Sequence, residues 1–358
     1  MSRRVYLHVG TPKSGTSYLQ DKLALNRARL EEQGLDYVHT RTGNHFEAAL
    51  DLIGDRWAGE EQAAQGQWDA LVVEARKARR DVLVSHEILA AAEPESVARA
   101  MASFPEREVH VVLTARDLGR QIPAEWQERV KHRGRRDYAA FLKALHRNYN
   151  RTDWTMPFWR VQQLPRILAT WGAGLPPENL HLVTVPPSGA PRDLLWKRFA
   201  AVVGLDPDAS YAESEKANAS LGGAEVTMLR RLNIELAERE VSRYTYVKWV
   251  REGVVKEVLA QRPGKKLTTV PPRRRASVEA ITASWVEDIA TSGVHVVGDL
   301  EDLRPVWPSD DRPWANPDSA DPEVVAEAAI QALAHVLEEI GSTADAGPVA
   351  RLARRLRG

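Results

Sequence analysis

The chain has no cysteine among its 358 residues. That excludes disulfides and thiolate-held metals, and it removes the usual sequence guide to redox compartment. Neither charge is in excess, since 49 Lys and Arg balance 49 Asp and Glu. Nucleic acid or an anionic membrane surface is therefore not expected as the main partner. No run approaches the roughly 20 apolar residues of a membrane span. The N-terminus enters a strand-like run directly, without an apolar segment ending in a small-residue cleavage site. Together these absences point to a cytoplasmic chain. A His-Glu-x-x-His pattern and a carboxylate-rich loop are also missing, so no metal site is expected.

What is present concentrates at the start. Val5–Val9 is a short apolar run, followed by Gly10-Thr11-Pro12-Lys13-Ser14-Gly15-Thr16-Ser17 and then by the helix-forming Leu19, Gln20, Lys22, Leu23 and Leu25. Strand, tight loop and helix N-terminus in that order form a site for phosphate or sulfate. The first-turn N–H groups point at the anion, Lys13 adds a full charge, and the hydroxyls of Ser14, Thr16 and Ser17 are expected as spare donors. A nucleotide-hydrolysing P-loop places its Lys directly after the second Gly. Here Gly10 and Gly15 have that spacing, but Thr16 follows Gly15 and the lysine is Lys13.

Further on, strand-like runs alternate with helical ones: Gly34–Val38, Asp81–Ser85, Val109–Thr114 and Leu180–Val185, with helices near Phe46–Ile53, Trp68–Arg80 and Asp193–Val203. This alternation predicts an α/β fold with a central, mainly parallel sheet flanked by helices. From about Asp206 helical segments dominate, at Gly223–Ala237, Tyr246–Gln261, Ser277–Ser292 and Glu323–Ile340. The expected division is therefore an α/β core over residues 1–205 and a mostly helical part over 206–358 that packs on it and completes an acceptor site. In parallel sheets ligands bind beyond the carboxyl ends of the strands, which directs attention to Arg116 after Val109–Thr114 and to His86-Glu87 after Asp81–Ser85.

The loop Thr11-Pro12-Lys13-Ser14-Gly15-Thr16 closely resembles the 5′-phosphosulfate loop of the sulfotransferases that use 3′-phosphoadenosine 5′-phosphosulfate (PAPS), although no residue separates Thr11 from Pro12. The run Val109–Trp126 is similar to the same family's 3′-phosphate element, and over Leu180–Pro207 the residues Leu194, Trp196, Phe199, Val203, Gly204 and Leu205 follow its strand-loop-helix pattern ending in Gly-Leu. The texture is that of the bacterial branch. The resemblance implies a P-loop-like three-layer fold, PAPS as co-substrate, and sulfuryl transfer to a hydroxyl of a small-molecule or carbohydrate acceptor. It implies that Thr11, Pro12, Lys13, Ser14, Gly15, Thr16 and Ser17 cradle the phosphosulfate while Arg116 holds the 3′-phosphate. The family's Ser eight residues after that Arg is Ala124 here, and Arg120 or Gln121 is the expected substitute.

A base must take the acceptor's proton. Glu87 is the first choice and the adjacent His86 the second, since neighbours on an extended segment point in opposite directions. His45 is a further acceptor contact. Tyr149, Asp153, Trp154 and Trp159 form a possible aromatic platform, and Arg262-Pro263-Gly264-Lys265-Lys266 is similar to the family's late basic loop over the 3′-phosphate. A nucleotide-dependent kinase of P-loop type, or a non-catalytic anion-binding protein of the same fold, remains as the alternative.

Overall fold

Strands buried on both faces need near-continuous apolar runs, and parallel strands need helical crossovers to join them. Both conditions hold in the computed structural model, which describes residues 3–39, 45–54, 64–149, 156–214, 220–264, 267–308 and 314–345. Six strands form one parallel sheet: β1 (Arg3–Gly10), β2 (Leu35–Tyr37), β3 (Asp81–Ser85), β4 (Arg107–Ala115), β5 (Leu180–Thr184) and β6 (His295–Val297). Their order is β2-β3-β1-β4-β5-β6. The expected α/β class with a parallel sheet flanked by helices is borne out. The alternation had not pointed to β6, because three residues at a sheet edge carry too little pattern to stand out.

Three helices position the site: α1 (Thr16–Leu25), α2 (Leu118–Lys131) and α3 (Leu194–Val202). On one face of the sheet Tyr6, Leu83, Val112 and Val183 pack with Leu19 and Leu23 of α1 and Trp196 and Phe199 of α3. Burying each such side chain contributes on the order of 1.5–3 kcal/mol.

By contact density the chain forms two units. The α/β unit comprises Met1–Ile122, Leu145–Lys216 and Arg273–Pro308, so it draws β6 from well beyond residue 205. The other comprises Pro123–Ala144, Ala217–Pro272 and Ser309–Gly358. Its helices include Gly223–Glu235, a π-helix Tyr246–Leu259 and Pro322–Asp345. Inside this unit Asn233 donates to the carbonyls of Val130 (2.7 Å) and Gly134 (3.0 Å) and accepts from the Tyr246 hydroxyl (2.7 Å). No helix among the described residues is long and apolar enough to cross a membrane.

Candidate active site

The connection after β3 crosses to the far side of β1, so the carboxyl ends of β3, β1 and β4 flank the point where the strand order reverses. That is where ligands bind in open parallel sheets. Each of the three strand ends brings one predicted element to this place: His86-Glu87 from β3, the Lys13 loop from β1 and Arg116 from β4.

The loop is held from its own strands. Thr11 N–H donates to the Thr114 carbonyl at 2.6 Å, and Ser14 N–H donates to the Thr11 carbonyl at 3.3 Å. Lys13 adopts φ 62°, in the left-handed region that side chains with a Cβ avoid at roughly 1–2 kcal/mol. Gly15, at φ 86°, caps α1 without a side-chain cap, and a Cβ there would lie 2.4 Å from Leu195 Cδ2. The first intrahelical bond runs from Leu19 N–H to the Gly15 carbonyl at 3.1 Å. The N–H groups of Thr16, Ser17 and Tyr18 therefore precede the helical ladder. With Lys13 in the same loop, they are donors of the kind that bind anions.

The hydroxyls divide by role. Ser14 is fully buried and donates to the Thr11 carbonyl at 2.5 Å, so it shapes the loop and is not the spare donor expected. Thr16 is buried, Ser17 is exposed on the first turn, and the buried Thr11 hydroxyl has no hydrogen-bond partner. Two side-chain amides fasten the Pro12 carbonyl: Gln121, which is buried, and Gln162 at 3.0 Å. With its amide turned to Pro12, Gln121 serves as a loop anchor. Gln162 was not anticipated, since nothing local links it to a loop so far away in sequence.

Arg116 and Arg120 differ sharply. Arg120 is closed off by Asp117, which accepts from its Nε and, at 2.9 Å, from its backbone N–H; its Nη1 donates to the Pro186 carbonyl at 3.1 Å. Arg116 donates to the Lys13 carbonyl at 3.5 Å, and among the described residues its buried Nε has no hydrogen-bond partner. Burial pushes the Arg116 pKa down to about 10; the like charge of Arg120 acts in the same direction and Asp117 against it. A desolvated guanidinium with an open donor is what a bound anion would relieve.

Glu87 is partly buried at the start of a 3₁₀ turn, Glu87–Ala91. Burial works to raise its pKa, but His86, its own backbone N–H, the Gln20 amide (2.9 Å) and Lys13 together bring it below the usual carboxylate value. It is therefore ionised at neutral pH. His86 differs: its Nδ1 accepts from Ile88 N–H at 3.2 Å, and burial holds it below the ordinary imidazole value against the pull of Glu87. A Cβ at Gly10 would stand 2.8 Å from Glu87 Cα, so glycine there lets the carboxylate segment lie against the loop.

Other expectations find different places. His45 is buried; it accepts from Ser85 N–H (2.9 Å) through Nδ1 and donates to the Val38 carbonyl (2.9 Å) through Nε2, which makes it a bracket between β2 and β3. It is not a solvated acceptor contact. Trp159 is a core residue, its Nε1 donating to the Leu145 carbonyl at 2.9 Å, with Tyr149 against its edge. Arg262 pairs with Glu225 (2.9 Å) and Glu327 (3.2 Å), so it is committed to carboxylates rather than open to a phosphate. Asp153, Trp154, Lys265 and Lys266 lie outside the described residues. Among the described residues no cluster of His, Cys, Asp or Glu could hold a metal ion.

No protein-family profile and no curated protein matches the sequence. Two solved structures are similar to it. One is the sulfotransferase from Alicyclobacillus acidocaldarius, at 14% identity and a TM-score of 0.39 over 69% of this chain and 99% of that one. The other is the sulfotransferase domain from the curacin biosynthetic pathway, at 13% identity and a TM-score of 0.34 over 80% of this chain and 98% of that one.

Proposed function

We propose that this chain is a PAPS-dependent sulfotransferase acting on a hydroxyl of a small-molecule or carbohydrate acceptor. One observation carries the reading. The uncapped N-terminus of α1, with Lys13 in its loop, meets the open guanidinium of Arg116 across adjacent strand ends. A second cationic group beside the loop suits a donor that carries a phosphosulfate and also a 3′-phosphate. The loop N–H groups and Lys13 take the first, and Arg116 takes the second. The acceptor oxygen forms a bond to sulfur as the bond from sulfur to the phosphate oxygen breaks. Lys13 stabilises the charge arriving on that oxygen, and Glu87 receives the acceptor's proton.

Thermal-shift titration with 3′-phosphoadenosine 5′-phosphate (PAP), ATP–Mg²⁺ and buffer tests the reading. A ligand at 100 times its Kd adds about 2.7 kcal/mol of stability, and PAP is the one expected to do so. Stabilisation by ATP–Mg²⁺ alone would support a kinase instead. Against the kinase stands Asp117, the carboxylate nearest the β4 end, which is held by Arg120. The absence of a hydroxyl at Ala124 favours a non-catalytic anion-binding protein, and a turnover assay with PAPS decides that point.

Two substitutions probe the donor contacts. Lys13→Ala is expected to leave folding nearly unchanged, because the side chain sits in a partly exposed loop. Turnover should fall by on the order of 10²–10³, as when other preorganised charges are removed; a folded variant with near-normal sulfation would remove this loop from the site. Arg116→Ala should weaken PAP far more than adenosine 5′-phosphosulfate, which lacks the 3′-phosphate. Equal losses for the two would make Arg116 a structural residue.

A further inference from the structure

Beneath the Lys13 loop lies a row of buried polar groups that the proposed chemistry does not use. His8 on β1 is fully buried, with Nδ1 2.7 Å from Ser85 Oγ on β3 and Nε2 3.1 Å from Thr114 Oγ1 on β4. Thr114 Oγ1 is in turn 2.6 Å from Ser14 Oγ, which reaches the Thr11 carbonyl at 2.5 Å. The row thus runs from β3 through the central strand to the loop.

Counting protons fixes its direction. A carbonyl only accepts, so Ser14 donates its one hydroxyl proton to Thr11. Ser14 Oγ must then accept from Thr114. That uses the single proton of Thr114, whose oxygen accepts from His8 Nε2–H. The imidazole is neutral, so Nδ1 is bare and accepts from Ser85. Only the Nε2–H tautomer satisfies every member. Phe199 meets the ring edge-to-face, with 5.0 Å between ring centroids, and the charged or titratable groups acting on it are Glu87 and His86.

We propose that His8 is a positioning residue for the anion loop: its Nε2–H sets the proton order of Thr114 and Ser14, and that order holds the Thr11 carbonyl and the loop in binding shape. The proposal rests on the reading of this loop as the donor's anion site. Without the imidazole donor the Thr114 hydroxyl is free to turn away from Ser14, and two buried hydroxyls lose a partner.

The experiment combines His8 variants with NMR of the intact chain. Long-range ¹⁵N spectra should show His8 as the Nε2–H tautomer at neutral pH. His8→Leu should bind PAP on the order of 10-fold more weakly, consistent with one buried donor lost. Amide exchange at Thr16, Ser17 and Tyr18 should quicken while β5, on the far side of β4 from His8, keeps its protection. His8→Gln, whose amide can still donate to Thr114, should recover most of the affinity and the slow exchange. An Nδ1–H tautomer overturns the proposal, and so does a folded His8→Leu with wild-type loop exchange. If His8→Leu does not fold, Thr114→Val breaks the row one bond closer to the loop, and wild-type exchange there overturns it equally. Should the wild type ignore PAP, the donor reading fails alone, because tautomer and amide exchange decide the role of His8 without any donor.

Discussion

Glu87→Gln is expected to keep PAP affinity and to lower kcat by roughly 10²–10⁴, the usual contribution of a positioned general base. The substitution preserves shape and still offers an oxygen to the Gln20 amide, which now donates to Glu87 Oε2 at 2.9 Å. His86→Asn should have the smaller effect, because the bare nitrogen of that ring already accepts from Ile88 N–H. The pH profile separates the two. A base works deprotonated, so its limb appears where pH falls through its folded pKa. Glu87 lies below the usual carboxylate value and His86 below the usual imidazole value. With Glu87 as base, kcat should stay flat from pH 8 down to 6; a limb in the range of a lowered imidazole would transfer the role to His86. If both variants remain active, the β3 end only orients the acceptor.

The second large effect concerns stability. His8, His45 and His181 are buried, and in each burial pushes the pKa from 6.5 down to about 4. The causes besides burial differ: Glu87 raises and His86 lowers His8, backbone partners raise His45, and His110 and His295 lower His181. His181 is hydrogen-bonded to both of those rings, at 2.9 Å each. A depressed folded pKa means that the unfolded chain binds protons first. The stability these rings contribute is thus complete above pH 6.5 and is lost as pH falls toward 4. At pH 5 His8 and His45 should each cost about 2 kcal/mol and His181 should add a smaller loss, a large share of the total stability of an ordinary domain, about 5–15 kcal/mol. Urea unfolding at pH 7.5 and 5.0 measures this directly, and equal midpoints would refute it. Loss of activity near pH 5 should then follow unfolding rather than titration of Glu87.

The parts of the site legible in the sequence were those whose signal is local. Lys13 stands out because strand, glycine loop and helix follow one another within a few residues. Arg116 stands out because it ends a long apolar strand. What stayed hidden depends on strands meeting across sequence. His45 looks like a loop residue until β2 pairs with β3 and brings the Val38 carbonyl and Ser85 N–H to its two nitrogens. Arg262 looks like a free cation until Glu225 and Glu327 come beside it. Gln121 was singled out by position, yet its amide finds the Pro12 carbonyl, a partner that only the folded loop supplies. The row from Ser85 to Ser14 could not be foreseen, since three strands must align before any of its bonds exists.

The strand order also has a consequence for how the protein is made. β1 leaves the ribosome before the other five strands and ends up near the middle of the sheet. Its two neighbours begin only at Asp81 and Arg107, and the last edge strand ends at Val297. At about 5–20 residues per second, the apolar run Val5–Val9 waits on the order of 4–15 s for its first partner. During that interval it resembles the segments that nascent-chain chaperones retain. The site forms still later, once β4 emerges, so a chain halted near residue 100 would carry Lys13 and Glu87 but no Arg116.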